Sequence, residues 1–325
     1  MTTAGADARP HAMGVMVNPD ALIGVIIDLD GEIVRFSGTF PEPGVIVRAL
    51  EDPSPETVVN DVAALRDDLL TAAPDLRGSV AGLGVAVGGH VHGDLGEVHL
   101  SPNLGWRSVS LGPLLAEATG LTAVNVENDA KTLAVAEQLF GEGIGHRSFA
   151  VVSLRGGVGC GLVIDHEIYR GATGLAGELG HLVLEPGGNA CRCLGKGCLE
   201  TIAGRDAMLG AVRAAGRPSP AGIDELTALA RRGDYAALAA IERAGEALGR
   251  GLAILLNLLN LELVVLYAEE PLLNTPAYLQ TVQASLAAHA FSSAAGDCRI
   301  VPKVLTAVEE ARAAASMAFQ RFYPT

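Results

Sequence analysis

Residues 178–200 read ELGHLVLEPGGNACRCLGKGCLE, and the rest of the chain is organised around them. Cys191, Cys193 and Cys198 fall within eight residues, and His181 stands ten positions before the first of them. A Cys-x-Cys pair, a third cysteine five residues on and one upstream histidine supply the Cys3His set that tetrahedral structural zinc prefers. Gly187, Gly188, Gly195 and Gly197 permit the turns that fold the sulfurs inward, since such turns need φ values other residues resist. The plainer alternative is buried or disulfide-bonded cysteines. Thiols one residue apart close a strained ring, however, and a chain of this size needs no staple. The set is therefore read as a zinc site with His181, Cys191, Cys193 and Cys198 as ligands. Glu178 and Glu200 frame it and make it more than a staple.

A length of 325 residues leaves room for two domains, each burying its own core. Hydrophobic content of 49% with 40 glycines suits an α/β protein with many tight turns. Cys160 and Cys298 have no evident partner, a usage that fits a reducing cytoplasm. Residues 1–12 carry no apolar run and read as a disordered tail rather than a signal peptide. The most apolar region, 248–268, is broken by Arg250, Asn257, Asn260 and Glu262, which argues against a membrane span. A net charge of −14 disfavours unaided binding to nucleic acid or anionic lipid. The expected partner is a small ligand.

In chain order, residues 14–17 and 23–28 read as strands joined by Asn18, Pro19 and Asp20. Asp30-Gly31 is a hairpin signal before a third strand at 33–40. A helix opens at Pro55, a buried strand covers 80–87, a polar loop runs from 90 to 106, and a helix covers 111–119. A strand at 122–126 delivers Glu127, Asn128 and Asp129 to a helix over 130–140. The second half repeats the idiom: strands at 149–153, 159–164, 261–267 and 298–301, helices at 201–214, 223–231, 235–258, 276–290 and 307–322. Two similar halves with a carboxylate at their junction imply a ligand cleft between lobes.

The stretch GATGLAGELGH at 171–181, the cysteine cluster ending in Cys198, Leu199 and Glu200, and Glu127-Asn128-Asp129-Ala130 together resemble the ROK family (repressor, open reading frame, kinase). The resemblance spans about residues 13–322. It implies an actin-like, hexokinase-like two-lobed α/β fold with a sugar-binding cleft between lobes and a zinc-binding loop. Its lobes would be residues 13–128, with the C-terminal helix 306–325 packing back, and 129–305, carrying the zinc loop 181–198. It implies that Asp129 is the general base towards a sugar hydroxyl in kinase members. It further implies that Asn128 bonds ring hydroxyls, that Glu178, His181 and Glu200 hold the anomeric end, and that the backbone of Gly89 lines the pocket. Carboxylates and an amide offer the paired donors and acceptors that vicinal hydroxyls need. Leu194 stands where the family has the first glycine of its cysteine motif, so the loop is expected to shift while still binding metal. The family suggests a homodimer.

The nucleotide side departs from the family's kinases. Their DxGGT phosphate hairpin is here Met16-Val17-Asn18-Pro19-Asp20, which loses an acid and two glycines, and Asp20 sets a negative charge towards phosphate. The second glycine-rich turn keeps Gly157, Gly159 and Gly161 but has Arg155 at its start, and a simple β-hairpin explains it equally well. Glu269 and Glu270 stand where kinases place glycines under the adenine.

The expected function is sugar sensing of the regulator type, with structural zinc and no Mg-ATP. The helix-turn-helix of ROK regulators is not expected within this chain. The alternatives are a sugar kinase of the glucokinase or N-acetylhexosamine kinase type, and a non-kinase enzyme acting on a cyclic polyol or biosynthetic intermediate. Asp129 also reads as a plain helix cap, and Glu200 as a solvated helix start. His90, His92 and His99 read as exposed rather than as a second metal set, and Trp106 either stacks on a ligand or packs its loop.

Overall fold

The computed structural model describes residues 9–36 and 42–322. They form two compact units. One comprises the residues up to 144 with 167–176 and those from 306 onward; the other comprises 145–166 and 177–305.

The first unit is built on a sheet in the order β3–β2–β1–β4–β8. Its strands are β1 (His11–Val17), β2 (Ala21–Ile27), β3 (Val45–Ala49), β4 (Val80–Val87) and β8 (Val124–Asn128). β1 pairs antiparallel with β2, and parallel pairing carries the sheet on through β4 to β8. The central strands are apolar without alternation because both faces are covered. On one face lie α1 (Pro55–Ala72) and α2 (Leu111–Thr119), burying Val58, Val62, Leu65, Leu69 and Leu115. On the other lie α3 (Asp129–Phe140) and α11 (Ala307–Ser316). Helix α11 comes in tightly. Gly14 of β1 and Gly84 of β4 are paired in register, and a methyl on either would collide with backbone of Ala311, Ala314 or Ala315.

Three expectations change in this unit. The strand expected at 33–40 is a single bridge between Ile27 and Ile33, with 37–40 outside the described residues; the third strand of the sheet is β3 instead. The stretch expected as a polar loop is a three-stranded meander, β5 (His90–His92), β6 (Glu97–Ser101) and β7 (Trp106–Val109). Trp106 packs that meander, buried, with its indole N–H donated to Pro53 O at 2.6 Å. Residues 1–8 of the expected tail lie outside the described residues, and His11 and Ala12 already belong to β1. A two-residue strand, β11 (Glu167–Ile168), precedes the segment through Ala176 that belongs to this unit.

In the second unit, strands β10 (Val158–Ile164), β9 (Phe149–Leu154), β12 (Leu263–Ala268) and β13 (Arg299–Val304) lie in that order. The helix expected over 201–214 is two, α4 (Glu200–Ala203) and α5 (Arg205–Ala214). Gly204 separates them, and a side chain there would strike Gly156 O. Then come α6 (Ile223–Arg231), α7 (Tyr235–Leu259), α8 (Glu270–Leu273), α9 (Pro276–His289) and α10 (Ala294–Asp297). Helix α7 carries the core: fourteen of its residues are buried, and Gly249 lets it approach α9 at Val282 and Ser285. No helix among the described residues is long and apolar enough to cross a membrane.

The close approach of α11 makes a testable contrast. Gly84→Ala forces helix and sheet apart and is expected to cost about 1–3 kcal/mol or more. Gly210→Ala, on α5 with nothing within 4 Å, should gain about 0.5–1 kcal/mol from better helix propensity. Urea unfolding of the two variants checks both signs.

Candidate functional site

The residues from Glu178 to Glu200 fold as a compact knuckle in the second unit. A 3-10 turn, Leu179–His181, aims the imidazole, and antiparallel bridges Val183↔Cys198 and Ala190↔Lys196 bring the cysteines back beneath it. Gly197, at φ 75°, cannot carry a side chain because Glu185 O occupies that space. Leu194 itself takes the left-handed conformation, at φ 70°, with its side chain 96% exposed. That costs about 1–2 kcal/mol where a glycine costs nothing of the kind. The turn is kept, with Leu194 N–H donated to Cys191 O at 3.0 Å.

The ligand atoms of His181, Cys191, Cys193 and Cys198 all lie within 4.8 Å of one another. Cys191 Sγ is 3.5 Å from His181 Nδ1, and Cys193 Sγ is 3.6 Å from Cys198 Sγ. A tetrahedral ion with the usual Zn–S and Zn–N lengths sets its ligand atoms about 3.6–3.8 Å apart. The set fits a metal ion such as zinc in a closed, structural site, and it is the one such group among the described residues. None of the five cysteines is in a disulfide, so the disulfide alternative is not realised. Without metal, burial pushes the Cys191 thiol well up and that of Cys198 up, while the Gly195 N–H holds Cys193 below its usual value. A metal ion held here stabilises the thiolate forms and ties the two ends of the knuckle together.

Glu178 and Glu200 both sit on this knuckle. His181 Nε2 is 3.7 Å from Glu178 Oε2, and Nδ1 is 3.7 Å from Glu200 Oε1. An imidazole using Nδ1 for metal keeps its proton on Nε2, directed towards Glu178. Glu200 opens α4; its Oε1 accepts from the Cys191 thiol at 2.8 Å, and its other oxygen fills the space left by Gly157. A thiolate has no proton to give, so metallation frees Glu200 Oε1 as an acceptor.

In the first unit the structure brings Gly89, Asn128 and Asp129 together. The helix cap is Asn128, not Asp129: its Oδ1 accepts from the N–H groups of Ala130 and Lys131, and its Nδ2 donates to Gly89 O at 2.9 Å. Much of the Asn128 amide is therefore committed within the fold. Gly89 stands at φ 122°, where a side chain would strike Leu100 O. Asp129 bonds Ala130 N through Oδ1 and leaves Oδ2 without a partner among the described residues. That oxygen and the Asn103 amide both border Gly88, so Asn103 joins the set although sequence reasoning passed over it.

Sequence reasoning also missed the pair of Arg170 with fully buried Glu127, at 2.7 Å. Buried Lys131 donates to Gly174 O at 2.9 Å and His90 Nε2 lies 2.7 Å from Thr173 O, both pinning the glycine stretch at 171–174. His90, His92 and His99 are half-buried rather than exposed, with the His90 and His99 rings 4.8 Å apart.

Fold and site together define an α/β protein of the hexokinase-like class. A ROK family model matches residues 38–321, and the chain belongs to the ROK family. Relatives fall on both sides of that family. The xylose repressor of Bacillus subtilis is 27% identical over 91% of this chain and 73% of its own length. The glucokinase of Thermotoga maritima is 33% identical over 75% of this chain and 80% of its own. Among solved structures, a ROK family transcriptional regulator homologous to the E. coli MLC protein superposes with a TM-score of 0.81 at 25% identity, covering 95% of this chain and 78% of that one. A ROK hexokinase from Thermus thermophilus gives 0.76 at 26%, covering 96% and 99%.

For the knuckle, purified protein should carry about one zinc per chain, and Cys193→Ser should release it and lower the melting temperature. Binding should weaken as pH falls, because each thiol must give up its proton to bind. Metal analysis and thermal melts of wild type and variant check this; wild type purified free of zinc would contradict it.

Proposed function

We propose that the chain binds a sugar as a regulator-type sensor, with structural zinc in the knuckle and without phosphoryl transfer. The candidate hydroxyl-reading groups are Asn128, Asp129 and the Gly89 backbone in the first unit, and Glu178, His181 and Glu200 in the second. Carboxylates with unused lone pairs beside fixed amide and imidazole donors are what vicinal hydroxyls need. Relatives named as a xylose repressor and a glucokinase support a sugar as the ligand class.

The observation that carries the absence of phosphoryl transfer is the turn between β1 and β2. Phosphate cradles work through free backbone N–H groups. Here the Asn18 N–H is donated to Ala21 O at 2.9 Å, Pro19 has none to give, and Asp20 adds an exposed carboxylate. The glycine-rich turn of the second unit supports the same reading. Arg155 is bonded through both its N–H and its C=O, to Gly157 O and Arg205 N, and the bare face of Gly157 is filled by Glu200. Arg205 is held by Asp206 at 3.4 Å and lies 3.8 Å from Glu269, whose carboxyl is pushed up by burial. Gly157 thus serves Glu200, and neither Gly157 nor Gly159 is proposed to hold a nucleotide.

A second reading, a sugar kinase, is favoured by one feature: Asp129 Oδ2, without a partner among the described residues, is suited to taking a hydroxyl proton.

Isothermal titration against hexoses, N-acetylhexosamines and pentoses tests the binding proposal. At least one sugar is expected to bind, and Asp129→Asn should weaken it roughly 10- to 100-fold, the value of a hydrogen bond to a charged acceptor. Silence across the whole panel would contradict the proposal.

A further inference from the structure

Among the described residues no strand pairs with the outer edge of β8, and a cavity of about 440 Å³ lies along it, walled by α2 and by Met317 and Gln320 after α11. Every residue lining it belongs to the first unit. Ligand sites for small molecules are on the order of 300–1,000 Å³, so a monosaccharide or disaccharide fits.

The cavity contains a fixed guanidinium. Arg170 donates from Nε to Glu127 Oε2 at 2.7 Å, and Glu127 is fully buried. Gly93 makes this possible, because a methyl there would collide with both partners. Among the described residues, the two terminal nitrogens of Arg170 make no hydrogen bond, nor do the side chains of Asn125 and Gln320, which also line the cavity. A guanidinium pinned through one nitrogen keeps four N–H donors with little rotamer freedom left to lose on binding. Two amides and the Asp94 carboxylate add further donors and acceptors, and Met317 and Ala116 supply an apolar wall.

Charge decides the ligand class. Arg170 faces Glu127 at 2.7 Å and Asp94 at 4.0 Å, so its single positive charge is already met by two carboxylates. A phosphate or carboxylate ligand would gain little there, and a cation would meet the guanidinium. What remains favourable is a neutral molecule rich in hydroxyl groups.

We infer that the cavity between β8, α2 and the residues following α11 is a second binding site for a neutral polyhydroxylated molecule of mono- or disaccharide size, read by Arg170, Asn125, Gln320 and Asp94. The site is separate in its residues from the Asp129 and knuckle sets, and it would stand if those bound nothing.

Saturation-transfer NMR on the full chain tests it, with D-xylose, D-glucose, N-acetyl-D-glucosamine and maltose as probes and glucose 6-phosphate as the charged control. The Asp129→Asn protein is used, so that sugar binding at the proposed principal site is weakened. At least one neutral probe should bind it. Ala116→Phe in that background, which fills the cavity, should abolish the binding, and Gln320→Leu, at the wall, should weaken it several-fold while melting as the parent does. No binding by any neutral probe, binding unchanged by both substitutions, or tighter binding of glucose 6-phosphate than of glucose would each overturn the assignment.

Discussion

The convergence of one imidazole and three sulfurs, all within 4.8 Å, is what the second unit's candidate residues depend on. Around that cluster the knuckle is held by two isolated bridges, backbone bonds, the Arg243–Glu185 ion pair at 2.7 Å and the burial of Leu179, Leu184 and Leu199. Ordering such a chain costs about 1–2 kcal/mol of backbone entropy per residue, and the leucines buried at 179, 184 and 199 offset part of that. A metal ion bound by the cluster would add to this, because its binding free energy is folding free energy. Glu178 and Glu200 stand against the cluster, one at 3.7 Å from His181 Nε2 and the other bonded to Cys191.

Hydrogen-bond accounting separates two kinds of surface in this protein. Asp129 Oδ2 has no partner among the described residues, Glu178 is half exposed, and Glu200 holds one oxygen on a thiol that would lose its proton on metal binding. By contrast, the amides that a phosphate would need are either bonded across their own turn, as at Asn18, or missing, as at Pro19. Each such amide matters, since hydrogen bonds to charged groups are worth about 1.5–3 kcal/mol each. In the Arg170 cavity, likewise, the two terminal guanidinium nitrogens have no acceptor among the described residues.

Where the sequence carries a strong period, its reading and the structure coincide: the strand at 80–87 and the helix at 111–119 match to the residue, and the first long helix opens at Pro55 as expected. The zinc-type cluster was legible because its members lie close in the chain and their chemistry is specific. Short, half-exposed strands were not. In β3, VIVRA, only the first valine is buried, and β5 to β7 carry histidines, a glutamate and two serines on strands of three to five residues, so neither shows an apolar repeat. Contacts between distant positions leave no local mark either. Arg170 and Glu127 are 43 residues apart, Asn103 comes beside Gly88 only once the meander has folded, and the space beside Gly204 is taken by Gly156 O, far upstream. The cap at Asn128 rather than Asp129 is a one-residue shift that only the hydrogen bonds reveal.

The central claim is that hydroxyl recognition persists while the triphosphate has no seat. A coupled ADP-release assay with Mg-ATP and the sugar that binds most tightly tests it most directly. The account predicts no turnover above the sugar-free background. Sugar-dependent ADP release that falls by roughly 10²–10⁴ in Asp129→Asn would contradict it and make Asp129 a general base.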